Sequence, residues 1–241
     1  MRALGVSGKG SAGHSVILAD RFVLQGLNPG NCIARLCGIV SRKGFYINID
    51  MKGVYMFFAD GFEETEALTT VDMLRRGGVD VRMVSITDSG SAMSSHKIHI
   101  MTDMNFSEFM ASVQLDGTTD KDFMIFPGGM PGSANLAGKK ELMELMLKHY
   151  AEGGSVAAIC AAPSVVLSLL PGIDGKTMTC YDGFEQALTD KGVNHTRDGV
   201  AKDGRIITGR GAGHTVAFGL EILAHIKDRA TADTVARSIM L

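Results

Sequence analysis

The sequence predicts an α/β domain built on a doubly wound, mostly parallel sheet. Three observations carry that expectation. The runs 54–58, 122–126 and 155–159 are apolar at nearly every position, as strands buried on both faces are. Amphipathic stretches of helical period lie between them, and glycine-rich turns separate the two kinds of segment.

After the strand at 54–58, Gly61 turns the chain into a helix over 63–76. There Ala67, Leu68, Val71 and Leu74 recur at helical spacing, and Gly77-Gly78 ends the run. A second strand follows at 79–86. Residues 88–104 read as an excursion, with turn-rich DSGSAMSS leading into HKIHIMTDM, which alternates like an edge hairpin. The buried strand 122–126 breaks at Pro127-Gly128-Gly129. An amphipathic helix over 139–152 leads to the buried strand 155–159. A helix over 162–170 stops at Pro171-Gly172, and a short strand precedes a helix over 184–190. VAKDGRIITG reads as a hairpin turning on Asp203-Gly204, and helices over 214–227 and 231–239 close the chain. Repeated β-α units of this kind place functional sites at the carboxyl ends of the strands. With no internal repeat or low-complexity linker, residues 51–241 read as one domain.

Residues 1–50 read differently. They carry a net charge of +4 against −6 for the remainder, and their apolar residues come in short scraps without a period. They are expected to be a poorly ordered N-terminal extension or a misannotated leader, with Met51 as the functional start. A compact apolar block and cleavage site of the secretory kind are not evident. Gly8, Gly10 and Gly13 fit G-x-G-x-x-G, but no strand precedes them and no helix follows, so the match carries no weight.

The bulk properties exclude several function classes. At 45% hydrophobic and 21% charged, the chain has the composition of a globular protein with a full core. A net charge of −2 gives no electrostatic case for nucleic acid or an anionic membrane. No window reaches the roughly 18 apolar residues of a membrane span. Cys32, Cys37, Cys160 and Cys180 are too sparse for a disulfide framework, and no second Cys or His pair completes a metal site with C-x4-C. Free thiols and a cytoplasmic location are the expectation, with no metal and no cofactor. Most of the fifteen methionines are read as adaptable core filler.

AAICAAPS (157–164) sets one thiol where a strand passes into a helix. A residue at such an elbow projects from the top of the sheet, and a helix N-terminus favours the thiolate. A buried cysteine serving as a small hydrophobe fits the same position. Two other stretches bear on the choice. FPGGMPGSANL offers backbone amides to an oxyanion after an earlier strand, although a plain turn needs only one glycine. DGFEETEAL sets Glu63, Glu64 and Glu66 in the first turn of a helix, where the dipole alone accounts for Glu63 and Glu64. Glu66 shares the strand-end face and is placed to meet a thiol from a neighbouring strand.

Together, ADGFEETEALTTVDMLRRGG, FPGGMPGSANLA, AAICAAPS and ITGRGAGHT resemble, in order and spacing, the ThiJ/PfpI superfamily and its ThiJ-like branch, which includes a parkinsonism-associated deglycase. The resemblance runs from about Met51 to Leu241. It implies a flavodoxin-like fold related to class I glutamine amidotransferases, commonly as a homodimer. It also implies Cys160 as the nucleophile, Glu66 as a protonated glutamate bonded to the thiolate, and the amides of Gly129 and Ala161 as an oxyanion pocket. The matching position for a family histidine holds Cys180, which is expected near the pocket as a second thiol, with a plain strand residue as the other reading. His96 falls where the relative has an arginine at the pocket entrance, and His214 begins a helix after GRGAG, near enough to the pocket to be considered with it. His96 and His99, three apart in an apparent strand, point to opposite faces, which is poor geometry for a shared metal.

Departures narrow the activity. Ala161 stands where the protease-like branch has a histidine. None of the seven histidines has an acid two residues later, as amidotransferase relatives do. What the resemblance implies is cofactor-free conversion of methylglyoxal or glyoxal to 2-hydroxy acids, or repair of their adducts on proteins or nucleotides. The alternative is an oxidative-stress sensor or redox-regulated chaperone that uses Cys160 oxidation without turnover. A role in thiamine-precursor metabolism, an older attribution in the family, finds no support in the residues.

Overall fold

The computed structural model describes residues 52–112 and 117–241, all within one compact unit, Asn48–Leu241. The expected extension over 1–50, with its glycine motif and Cys32 and Cys37, lies outside the described residues.

The central sheet holds β1 (Val54–Phe58), β2 (Val81–Ser85), β5 (Met104–Asn105), β6 (Phe123–Phe126), β7 (Ser155–Ile159), β10 (Val200–Asp203) and β11 (Ile206–Gly209). Their spatial order is β10-β11-β7-β6-β1-β2-β5, parallel throughout except for the β10–β11 hairpin. The chain winds outward from β1 through β2 and then returns to β1's other side with β6. The strand order thus reverses between β1 and β6, which is where open α/β sheets form a crevice above the strand ends. The architecture is the flavodoxin-like one predicted.

The continuous apolar strands follow from this topology. Alternate residues of one strand feed two separate cores. Phe57, Met124, Phe126, Val156 and Ala158 enter one, while Met56, Phe58, Ile125, Ala157 and Ile159 enter the other. On the first side lie α2 (Phe106–Ser112), α3 (Gly132–Gly138) and α4 (Lys140–Ala151), with Phe57 edge-on to Phe109 at 5.2 Å and stacked on Phe126 at 5.7 Å. On the second lie α1 (Glu64–Arg76), α7 (Thr215–Ile226) and α8 (Arg229–Ser238). Helices α1 and α7 meet closely because Gly219 carries no side chain, and a Cβ there would press on Met73.

Several boundaries differ from the sequence reading, each for a local reason. On α1 the buried face uses Thr70 and Met73, whereas Leu68 is 37% exposed. The 88–104 excursion forms an antiparallel ribbon of β3 (Ser91–Met93) and β4 (His99–Met101), and His96 sits in its turn, not in a strand. The helix expected over 162–170 is a single turn, α5 (Ala162–Val165), followed by a 3-10 turn at Leu167–Leu169. The Ser168 hydroxyl donates to the Ser164 carbonyl at 2.5 Å, the back-bonding that bends short helices. A parallel ribbon of β8 (Thr177–Met178) and β9 (Asn194–His195) brackets the one-turn α6 (Gln186–Thr189). Helices α2 and α3 were not foreseen, since α2 is short and α3 begins and ends on glycine.

One buried polar group stabilises the base of the sheet. His149, 1% exposed on α4, directs Nε2 to the carbonyls of Asp122 at 3.1 Å and Ser155 at 3.0 Å. Carbonyls only accept, so Nε2 carries the proton. Nδ1 is buried with no partner, and burial lowers the pKa of the ring. Unfolded, the ring takes up a proton near its ordinary value. Folded, it does so at lower pH. Between the two the unfolded chain binds more protons, so this contribution is complete above about pH 6.5 and is lost as pH falls below it. Melting temperature is therefore expected to drop between pH 7.5 and 5.5, and to drop less in His149→Gln. His149→Ala, which strands two buried carbonyls, is expected to cost about 1–3 kcal/mol in denaturant titrations at pH 7.5. An unaltered pH slope in the Gln variant would refute this assignment.

Candidate active site

The strand ends above the β1/β6 crevice bring three sequence-distant segments together. The first is the loop from β1 into α1. Glu63 is the N-cap of α1, extended at φ −91°, and its carboxylate accepts the Glu66 amide at 2.6 Å. In a capping box the third-position glutamate would reach back to the cap's own amide. Here that amide donates instead to the Gly128 carbonyl at 3.0 Å, which leaves the Glu66 carboxyl free. The Gly128 amide in turn donates to Glu66 Oε2 at 3.0 Å. Two reciprocal bonds therefore pin the start of α1 to the end of β6.

The second segment is Pro127–Gly129. A Cβ on Gly128 would collide with both Glu66 Oε2 and Cys160 Cβ, so only glycine lets the two side chains meet. Gly129 adopts φ +88°, which turns its amide toward the Cys160 sulfur.

The third is the elbow. Cys160 has φ +64°, a conformation that costs a non-glycine residue about 1–3 kcal/mol and persists only where surrounding structure imposes it. The imposing contacts are its amide donating to the Gly209 carbonyl at 2.9 Å and its carbonyl accepting from the Tyr181 amide at 2.8 Å. The thiol, partly buried, hydrogen-bonds to the Glu66 carboxyl and receives the amides of Gly129 and Ala161. The four residues expected at the centre of the site are thus assembled in one place.

The electrostatics differ from the sequence expectation of a thiolate favoured by a helix N-terminus. Helix α5 is one turn long, and burial dominates. It pushes the Cys160 thiol up to about 12, with the Glu66 charge and hydrogen bond adding to it against the two amides. Glu66, 1% exposed, is pushed up to about 7, first by burial; the Cys160 bond opposes this and the Glu63 charge adds to it. The two groups titrate as a pair. While Glu66 is ionised, it holds the proton on sulfur. Once Glu66 takes up a proton, its charge no longer opposes the thiolate, and the Gly129 and Ala161 amides favour that form.

The remaining expected residues lie further out. Cys180 is fully buried in the core on the α4 side, its sulfur 3.7 Å from His195 Nε2, whereas Cys160 packs against the opposite core. Its link to the elbow runs through the backbone of Tyr181. His214 is exposed and caps α7 without a side-chain bond. His96, on the ribbon turn, pairs with Glu64 at 2.8 Å. That ribbon is tied to the α1 loop by Gly61 N to Met93 O at 2.7 Å and Ser95 N to Phe62 O at 2.7 Å. Glu63, Glu64 and His96 are the one group of three Cys, His or acidic residues within 4.8 Å of one another among the described residues. Glu63 serves there as the helix cap and Glu64 as the partner of His96. No described helix is long and apolar enough to cross a membrane.

The sequence profile of the DJ-1/PfpI family matches residues 52–225. The chain belongs to that family. It is 32% identical over 190 residues to Protein DJ-1 homolog A of Arabidopsis thaliana, covering 79% of this chain and 47% of the relative, so it spans about half the length of that plant protein. It is 29% identical over 181 residues to Glutathione-independent glyoxalase DJR-1.2 of Caenorhabditis elegans, covering 74% of this chain and 90% of that one. A DJ-1 superfamily protein of Salmonella typhimurium, solved as a cysteine-to-alanine mutant, superposes with a TM-score of 0.70 at 31% identity, covering 79% of this chain and 98% of its own.

The coupled pair makes a direct prediction. Glu66→Gln keeps an oxygen for the Gly128 amide but removes the charge that holds the proton on sulfur. The pH midpoint for alkylation of Cys160, followed by mass spectrometry of its peptide, is expected to move down by about one to three units. A midpoint that stays or rises would show that Glu66 does not control the thiol.

Proposed function

We propose that the protein converts small 2-oxoaldehydes, methylglyoxal and glyoxal among them, to 2-hydroxy acids without glutathione, or repairs their adducts on proteins or nucleotides. The observation that carries this reading is the pair itself. A carboxyl whose pKa sits near 7 is hydrogen-bonded to an elbow thiol, and two amides converge on the sulfur. Such a carboxyl exchanges protons readily at neutral pH, which is what a general acid–base must do. The DJ-1/PfpI relative named as a glutathione-independent glyoxalase points the same way.

The steps balance with water as the only co-reactant. Sulfur adds to the aldehyde carbon as the thiol proton passes by way of Glu66 to the carbonyl oxygen, giving a hemithioacetal. The Gly129 and Ala161 amides, which face the sulfur in the free protein, stabilise the charge that develops on that oxygen. Glu66 then removes the proton from the former aldehyde carbon, and the second carbonyl becomes part of an enediol. Reprotonation at the neighbouring carbon gives a thioester of the 2-hydroxy acid. Water cleaves the thioester, releasing lactate or glycolate and restoring the thiol. The burial that raises the thiol pKa gives Glu66 its purpose, since without proton transfer to the carboxyl the sulfur stays protonated at neutral pH.

Cys180 has no step in this scheme, and neither His96 nor His214 supplies a proton. A homodimer and a cytoplasmic location belong to the same reading through the family resemblance. The alternative, an oxidative-stress sensor or redox-regulated chaperone, uses oxidation of the same thiol without turnover.

Methylglyoxal consumption with D- and L-lactate detection, in the absence of glutathione, tests the reading. Cys160→Ser is expected to abolish turnover, and Glu66→Ala to lower kcat by about 10²–10⁴. Wild-type protein that yields no lactate, while Cys160 oxidises readily under mild peroxide, would replace the enzyme with the sensor.

A further inference from the structure

One backbone partner of Cys160, and the residue that follows the other, line a cavity that the chemistry above does not use. Tyr181, whose amide holds the Cys160 carbonyl, and Arg210, which follows the Gly209 that holds the Cys160 amide, line it together with Asp182, Gly211, Ala212 and His214. Its volume is about 500 Å³, within the range of small-molecule sites and far larger than methylglyoxal requires.

The wall is fixed rather than loose. Arg210 binds Asp182 through two bonds, Nε to Oδ1 at 2.9 Å and Nη2 to Oδ2 at 2.7 Å, and gives Nη1 to the Arg197 carbonyl at 3.0 Å. With its guanidinium so engaged, Arg210 braces the cavity and is not the group that recognises a ligand. The His214 ring packs on Gly199, where a Cβ would collide with it.

What remains open to a ligand is a ring. Tyr181 is 52% exposed although it belongs to the large aromatic class, and its hydroxyl has no hydrogen-bond partner among the described residues. Its orientation is nevertheless set. Phe184 meets it edge-on with centroids 6.3 Å apart, and its Cδ2 lies 3.4 Å from where a Cβ on Gly211 would stand. Gly211, lacking a side chain, lets the ring lie against the backbone after β11. An aromatic face held this way, on the residue whose amide bonds the Cys160 carbonyl, is a stacking platform.

We propose that this cavity is a subsite for the substituent of the 2-oxoaldehyde, and that Tyr181 selects substrates whose substituent is aromatic or otherwise planar. The inference rests on the aldehyde reading of Cys160 and Glu66, and it names the substrate class that reading leaves open. The reaction is unchanged in its balance: an aryl glyoxal and water give the aryl 2-hydroxy acid.

The test compares kcat/KM for phenylglyoxal and methylglyoxal in the full chain. Wild type is expected to favour phenylglyoxal. The ratio of the two values is expected to fall about tenfold in Tyr181→Ala, to fall in Ala212→Leu, which fills the cavity, and to be kept in Tyr181→Phe, which retains the ring. A ratio unmoved by Tyr181→Ala and Ala212→Leu would overturn the subsite, as would equal losses for both aldehydes. A second readout separates this failure from failure of the parent reading. Mandelate and lactate are titrated into Cys160→Ser, alone and combined with Tyr181→Ala. Mandelate binding that is tighter than lactate binding, and about tenfold weaker without the Tyr181 ring, supports the subsite even if no variant turns over either aldehyde. Mandelate binding no tighter than lactate overturns it.

Discussion

The reciprocal pair of hydrogen bonds between the start of α1 and the end of β6 is the constraint on which the site depends. Glu63 donates its amide to the Gly128 carbonyl, and Gly128 returns its own amide to the Glu66 carboxyl. A helix begun in the ordinary way would fold the third-position glutamate back on its own cap and neutralise it locally. Diverting the cap amide to another strand releases that carboxyl into the crevice. The same two bonds fix its height against the elbow from β7. Gly128 permits the approach by having no Cβ, so one residue both holds Glu66 and makes room for Cys160.

The energetics of the site follow from burial more than from the helix dipoles invoked so often for strand-end cysteines. Helix α5 is too short to impose much field, and the thiol and carboxyl share a poorly solvated space in which neither favours charge. An ionised Glu66 raises the cost of ionising Cys160, whereas the Cys160 bond eases the ionisation of Glu66. The pair stores one readily exchanged proton, and which atom carries it is settled by small changes around the sulfur. Two amides aimed at the sulfur and a strained φ of +64° bias that choice without introducing a formal positive charge. A nucleophile of this kind is activated when its partner accepts a proton, which suits an addition that must both give and take one.

The fold was legible where burial is uniform. Strands β1, β6 and β7 announce themselves as continuous apolar runs because each side chain enters one of two cores, and α4 because its one buried face repeats at helical spacing. It was illegible where a single local bond decides. The serine back-bond that shortens the helix after Cys160 leaves no periodic trace, nor does the glycine-bounded α3. At the site, Cys160, Glu66, Gly129 and Ala161 were readable from their motifs. The direction of the thiol's shift was not, since it comes from desolvation and from a charge 94 residues away in the chain. The placement of Cys180 was not readable either: its motif says nothing of which core its side chain enters, and it enters the one on the α4 side. His149 offered no signal, because its partners are two backbone carbonyls, one just before β6 and one at the start of β7.

The backbone around the elbow links chemistry to selectivity. The strain at Cys160 is held by Gly209 on one side and Tyr181 on the other; Tyr181 and Arg210, the residue after Gly209, line the neighbouring cavity. The segments that hold the nucleophile in its unusual conformation therefore also lead into the walls against which a substituent would rest. A change in the loops after β8 or β11 that moved Tyr181 or Gly209 would disturb both functions together, whereas a change confined to the Tyr181 ring or to Ala212 would reshape the cavity and leave the elbow's two bonds in place. Side chains there are free to vary with the substrate, while the backbone is bound to the geometry of the thiol.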